Sequence, residues 1–216
     1  MNYAVSWSGG KDCTLSMWRV WRAHGPPAAL VSTYEDDGSR SRAHRLRPAV
    51  LAAQAAALGV PLVDMPTSLP DYAANFGAAL ARLRDDVGVT AAVFGDIALE
   101  AHRTWFRKLC AGVGVECLHP IWEVPREALL REFLDAGFVT RIVAVQDGKL
   151  DPALLGRTLD AALVDTFRDA GVDLAGENGE YHSVVVDGPC FAHPLALRDG
   201  ARERRDGYWF LDLEPA

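Results

Sequence analysis

Tyr3-Ala4-Val5-Ser6-Trp7-Ser8-Gly9-Gly10-Lys11-Asp12-Cys13 runs from a half-apolar stretch of strand length through a Ser-Gly-Gly turn into a stretch of helical periodicity, with no spare linker. Strand, tight loop and helix in that order make an anion site. The two glycines reach backbone angles barred to residues with a side chain and bring amide N–H groups close to a ligand. The helix behind them aims its positive end at the same point. Lys11 adds a full positive charge, whereas the Asp12 carboxylate would repel phosphate unless a divalent cation lay between them. Both signs of charge in one loop point to a metal–nucleotide complex, with Asp12 toward the metal and Ser6, Ser8, Gly9, Gly10 and Lys11 around the nucleotide. A plain polar turn between strand and helix uses the same residue types.

The loop lacks the six-residue Gly-to-Gly-Lys spacing of Walker-type phosphate loops, which excludes that class by count. It resembles the SGGxD signature of the PP-loop ATP pyrophosphatases, enzymes that cleave ATP between its α and β phosphates, adenylate an acceptor and release pyrophosphate. Cys13 stands where that signature usually carries Ser, and a thiol is a weaker hydrogen-bond donor than a hydroxyl.

The 216 residues allow one large domain or a main domain with a smaller partner, and 50% hydrophobic with 24% charged residues is ordinary globular composition. Lysine and arginine number 22 against 29 acidic residues, a net charge of −7. That balance gives no global pull toward nucleic acid or anionic membrane, so a nucleic-acid partner is disfavoured. Cys13, Cys110, Cys117 and Cys190 form no CxxC pair and no zinc spacing. With no basic-then-apolar leader and no apolar run near the ~18 residues of a membrane span, a cytoplasmic protein with reduced thiols is expected.

Along the chain, Met17, Val20, Trp21 and His24 share one helical face, and Gly25-Pro26-Pro27 stops that helix. Ala28–Thr33 reads as a second strand, with Ser32 at the carboxyl end, where open α/β sheets bind ligands and backbone groups can read an adenine. Tyr34 to Arg47 has no periodicity and carries Arg40, Arg42, His44, Arg45 and Arg47; it is either a lid gripping anionic ligand or a solvated surface loop. Then follow a helix over 48–58, a strand over 60–65 and a helix over 70–87 with Ala73, Phe76, Leu80 and Leu83 on one side. The strand 91–94 ends in Gly95-Asp96, a pair suited to a ribose or a metal-bound phosphate and equally to a turn. A helix over 99–113 and a strand over 115–118 close this half. Alternation of strand and helix predicts α/β architecture, a parallel sheet with helices on both faces, over residues 1–120.

Residues 121–216 read as a smaller α+β domain: a helix over 126–136, a β-branched run over 139–145, helix over 151–170, a strand over 184–186 and a hairpin turned by Asp206-Gly207. Gly176-Glu177-Asn178-Gly179-Glu180-Tyr181-His182-Ser183 packs two carboxylates, an amide, a phenol and an imidazole beside two glycines. Such a mixture holds a small molecule closely, or merely faces water. If the segment is extended, Glu180 and His182 point to one side, where one could orient a nucleophile and the other accept its proton.

SGGKD at residues 8–12, FGDI-LE-HR-W from Phe94 to Trp105, Pro120-Ile121-Trp122 and GENGEYHS-VVVDGP-F from Gly176 to Phe191 together resemble the diphthine-ammonia ligase family, with His44 and Ala53-Gln54-Ala55 also at family positions. The resemblance runs in order over nearly the whole chain. It implies an ATP-dependent amide-forming ligase, an adenine nucleotide alpha hydrolase-like PP-loop fold, ATP and Mg2+ as cofactors, and ammonia and a carboxylate acceptor as partners. On this sequence it places Ser8, Gly9, Gly10, Lys11 and Asp12 at the phosphates, Asp12 at the Mg2+, Gly95 and Asp96 in the nucleotide site, and Glu177, Glu180 and His182 by the acceptor and ammonia. Archaeal and eukaryotic ligases of that family commonly read GEYET where this chain reads GEYHS. Two further readings stand beside the ligase: a PP-loop tRNA-modifying enzyme, and a module that holds an adenine nucleotide without turnover. Assembly as a homodimer is left open.

Overall fold

A computed structural model describes residues 1–42 and 44–216; Ala43, in the arginine-rich loop, lies outside the described residues. The opening strand β1 (Tyr3–Ser6) passes through the Ser-Gly-Gly turn into α1 (Lys11–His24), and Gly25, at φ 80°, ends that helix by donating its N–H to the Trp21 carbonyl. Next come β2 (Ala29–Tyr34), α2 (Pro48–Leu58), β3 (Leu62–Pro66), α3 (Tyr72–Val87), β4 (Ala91–Val93), α4 (Glu100–Gly112) and β5 (Glu116–Leu118). Pro48 opens α2 at a position whose N–H needs no partner, and Gly59 closes it in the left-handed region.

The five strands form one parallel sheet in the order β3-β2-β1-β4-β5. Alternate side chains of β1 explain the layers. Tyr3 and Val5 join Met17 of α1 and Leu51 of α2 in one cluster, while Ala4 joins Phe76 and Leu80 of α3 and Cys110 of α4 in another. Helices thus cover both faces, as the alternation predicts. On α3 the inward face rests on Phe76 and Leu80; Leu83 is half-buried and Ala73 is exposed, because the helix leans on the sheet through its middle turns.

The rest of the chain builds α5 (Arg126–Asp135), β6 (Val139–Gln146), α6 (Ala161–Asp169), β7 (Tyr181–Asp187), β8 (Leu197–Arg205) and β9 (Tyr208–Pro215). Its strands form an antiparallel sheet in the order β7-β6-β9-β8. Asp206 and Gly207, at φ 51° and 80°, make the tight turn that the Asp-Gly pair predicts. Asp160 caps α6 by accepting the Leu163 N–H at 2.8 Å. Strand β7 starts three residues earlier than its apolar run, because Tyr181, His182 and Ser183 pair with β6 while their polar groups face a cleft. Both sheets share one core: Tyr3, Val5 and Leu51 belong to the same cluster as Ile142, Val145, Tyr181 and Leu211.

The arginines of the Tyr34–Arg47 loop are engaged within the molecule. Arg40 and Arg47 both hold Asp212 of β9, the latter through Nε at 2.9 Å, and Arg47 also reaches Glu214 at 3.1 Å. Arg45 pairs with Glu35 at 2.7 Å and lies over the Phe210 ring. The loop is thereby strapped to β9. Hydrogen bonds from Arg47 and then Arg40 outweigh burial and hold the Asp212 carboxyl well below the usual carboxylate range. Asp212→Asn is expected to lower stability by about 2 kcal/mol at neutral pH, the scale of hydrogen bonds to a charged group. Since a depressed folded-state pKa stabilises above the unfolded value and fades as pH falls through the folded one, the difference between the proteins should shrink below about pH 4. Urea unfolding at both pH values measures it; equal midpoints at pH 7 would show that solvent screens the strap.

Candidate active site

The carboxyl end of β1, the amino end of α1, the tip of β4 and the start of β7 meet around a cleft of about 370 Å3. Of the residues singled out from sequence, Ser6, Ser8, Lys11, Asp12, Gly95, Asp96, Glu177 and His182 line it. Gly9, Gly10, Ser32 and Glu180 do not. Ser32 is fully buried and spends its hydroxyl on the Trp7 carbonyl at 2.8 Å, so it organises the strand ends.

Both loop glycines are sterically required. Gly9 sits at φ 78°, and a Cβ there would meet Gln54 Oε1 at 2.5 Å; at Gly10 a Cβ would meet His44 Cε1 at 2.3 Å. The Gly9 carbonyl accepts from Val185 N–H and from Gln54 Nε2, each at 2.9 Å. Gln54 Nε2 also donates to the Val185 carbonyl at 2.7 Å, and its Oε1 accepts from Trp7 Nε1 at 3.1 Å. One buried amide thus ties the loop to both sheets. Cys13 turns its thiol back to the Gly10 carbonyl at 3.2 Å, and burial raises its pKa, so it serves the helix turn as a neutral group.

Lys11 is 5% exposed. Its Nζ lies 2.8 Å from Asp12 Oδ2, donates to the Ala175 carbonyl and stands 5.0 Å over the Tyr181 ring. Burial alone would lower its pKa, but Asp12 and Tyr181 more than offset this and keep it charged. Glu177 reaches solvent at the mouth, yet desolvation first and the Asp12 charge second push its carboxyl up to about 7. His182 is pushed down to about 4 by burial and by Lys11. Its ring stacks on His44 at 4.8 Å between centroids.

Glu180 organises the loop that carries these groups. It is 2% exposed, and its carboxylate accepts from Asp173 N–H, Asn178 N–H and Asn178 Nδ2, each at 3.1 Å. Burial opposes its charge, but these hydrogen bonds prevail and hold its pKa below the usual range. It precedes β7, so strand alternation does not bring it beside His182.

At the opposite wall Gly95 lets the tip of β4 touch α1: a Cβ there would lie 2.7 Å from the Cys13 backbone nitrogen. Asp96 beside it faces His102 Nδ1 at 3.1 Å and His119 Nε2 at 3.8 Å. His102 and His119 carry no local sign of a site; they lie in the FGDI-LE-HR-W segment and just before Pro120-Ile121-Trp122, and spacing alone does not pair them with Asp96, whereas His44 stands in the arginine-rich loop already singled out.

Among the described residues no group of three or more His, Cys, Asp or Glu side chains gathers to hold a metal. Mg2+ needs only one or two protein carboxylates, and Asp12, Asp96 and Glu177 are the carboxylates that line the cleft, with Glu177 destabilised by the Asp12 charge.

The family model for the diphthamide synthase N-terminal domain matches residues 1–117, and that for the diphthamide synthase C-terminal domain matches residues 125–214. The diphthine–ammonia ligase of Homo sapiens is 32% identical over 107 residues, which make up 48% of this chain and 40% of that protein. The Rattus norvegicus enzyme of the same name is 31% identical over equal shares. These matches span less than half the length of either relative. Among solved structures, a Methanocaldococcus jannaschii protein described as a predicted subunit of tRNA methyltransferase aligns with a TM-score of 0.44 and 16% identity, covering 87% of this chain and 97% of that one. With both family models matched in order, the first over more than half of its residues, the chain belongs to the diphthamide synthase family.

Proposed function

We propose that this protein is an ATP-dependent, AMP-forming ligase that activates a carboxylate as an acyl-adenylate and amidates it with ammonia. The observation that carries the reading is the convergence, on one cleft, of the Ser8–Asp12 loop with its buried Lys11 and the Glu177–Ser183 segment from the other sheet. In this scheme the backbone amides at the α1 amino end and the Lys11 ammonium hold the phosphates, with Gly95 and Asp96 completing the nucleotide side. Mg2+, bound to phosphate oxygens and Asp12, would supply charge neutralisation as pyrophosphate leaves. Lys11 is fixed by Ala175 and Asp12 before any ligand arrives, so its charge costs little reorganisation when negative charge develops. Glu177, at the mouth, is placed to bind ammonium, and neutral His182 to accept its proton. Residues 1–120 then form the nucleotide half and 121–216 the acceptor half. The acceptor is a small molecule or protein side chain bearing a carboxylate, and the setting is cytoplasmic.

The test incubates the protein with ATP, Mg2+, ammonium and candidate carboxylates and reads AMP, pyrophosphate and amide. Formation of ADP as sole product would overturn the reading. Glu180→Gln is expected to keep ATP affinity while slowing amide formation by about 10–100-fold, the usual cost of an outer-shell partner. The reason is that an NH2 would replace one of two oxygens that between them accept from three N–H donors, two at Oε1 and one at Oε2. Equilibrium ATP binding beside amide yield separates the two effects; loss of ATP affinity would mean that Glu180 serves the nucleotide instead.

A further inference from the structure

His44 has no part in the scheme above, yet it presses against the anion loop. Its Cε1 lies 2.3 Å and its Nδ1 3.2 Å from the point where a Gly10 Cβ would be, so glycine at position 10 is what admits the ring. The ring lines the cleft with Lys11 and His182, part of its surface open to it, while Nδ1 has no accessible surface and the Ser183 backbone is the hydrogen-bonding group beside the ring. An imidazole edge open to the cleft beside the positive end of a helix stands where an anion on the loop would lie.

The groups facing His44 are Lys11 from α1 and His182 and the Ser183 backbone from β7, with Tyr208 stacked 6.1 Å beyond His182. No carboxylate of these elements pairs with it among the described hydrogen bonds and ion pairs. Burial, then His182, then Lys11 hold the imidazole neutral in the free protein, against the Ser183 backbone hydrogen bond, which favours its charge. A polyphosphate anion on the loop would invert that field, because its negative charge favours the imidazolium that Lys11 disfavours.

We infer that His44 is a polyphosphate contact: the edge of its imidazole open to the cleft hydrogen-bonds a phosphate oxygen at the Gly10 end of the loop, and the ring takes a proton from solvent as the anion binds. This rests on the reading of Ser8–Asp12 as the phosphate loop. No covalent bond changes; the imidazole gains one proton and the positive charge that goes with it. Anion affinity therefore falls as pH rises, because the proton becomes costlier to recruit.

The test is calorimetric titration of the full chain with pyrophosphate and Mg2+ at pH 7, in two buffers of different ionisation heat. Wild type is compared with His44→Gln, His182→Gln and Lys11→Ala. Subtracting His44→Gln from wild type cancels the protons that pyrophosphate itself exchanges. Wild type should take up more protons than His44→Gln, by at most about one, and bind about tenfold more tightly, with the gap closing toward pH 9. His182→Gln should retain the uptake, since it keeps His44 and removes a competing imidazole. Equal proton uptake by wild type and His44→Gln, or loss of the uptake in His182→Gln alone, overturns the inference. Pyrophosphate bound as tightly by Lys11→Ala as by wild type overturns the phosphate-loop reading beneath it instead.

Discussion

Asp12→Asn and Lys11→Ala should each reduce AMP formation by about three orders of magnitude, the upper range for removing one preorganised charge from a reacting centre. Asn keeps the shape of Asp and removes only the charge, so the fold should survive: Asp12 is partly exposed and its single close partner is Lys11 at 2.8 Å. Lys11 differs, since its Nζ is buried and satisfies the Ala175 carbonyl of the loop before β7. Truncating it opens the contact between the nucleotide loop and the Glu177 segment as well as removing a charge. The expected signature is therefore a lowered melting temperature in both, Asp12→Asn because buried Lys11 loses the ion partner that offsets its desolvation and Lys11→Ala because the Ala175 contact is lost, with both inactive by AMP release. An Asp12→Asn enzyme with a tenth or more of wild-type turnover would remove the carboxylate from the mechanism.

Gly95→Ala should lower stability by about 2–3 kcal/mol, as overpacking against an unyielding neighbour does. The clash is with main chain: the new Cβ would sit 2.7 Å from Cys13 N and 3.0 Å from both Asp12 C and Cys13 Cα. Neither partner can rotate away, so β4 and the first turn of α1 must separate, and Asp12 moves with them. For a chain of this size that corresponds to a melting temperature lower by roughly 5–10 °C, with activity falling further than stability alone explains. Gly112→Ala is the control, because a Cβ at the end of α4 meets nothing within 4 Å. An equal loss there would defeat the steric argument.

The parallel half was legible because each of its elements carries its own local sign. The apolar alternation of Tyr3–Ser6, the Ser8-Gly9-Gly10 turn, and Pro48 and Gly59 at the ends of α2 all act within a few residues of themselves, as does Asp206-Gly207 in the hairpin of the antiparallel half. Wherever a residue works across the fold, the sequence was silent. Glu180 reads as an alternating partner of His182, and only the turn over 173–180 shows its carboxylate consumed by backbone donors. Ser32 sits at the strand end expected of a ligand contact, yet the crossing of the chain at Trp7 claims its hydroxyl. Arg40 and Arg47 look like anion-gripping side chains until β9, some 165 residues later, supplies Asp212. Gln54 stands out in the sequence only by family likeness; its physical clue is a lone amide in an otherwise apolar helix, fully buried and therefore obliged to find partners, of which the structure shows three.

That amide has a dynamic consequence. Because Gln54 and the Val185 N–H both grip the Gly9 carbonyl, the two sheets cannot hinge apart along this seam without dismantling the Ser8–Gly10 turn. Breathing of the molecule must be sought elsewhere, and under the proposed reaction ligands would pass through the open mouth near Glu177 and His102. In deuterium oxide, the Val185 amide should then be among the last to exchange, its rate tracking global unfolding.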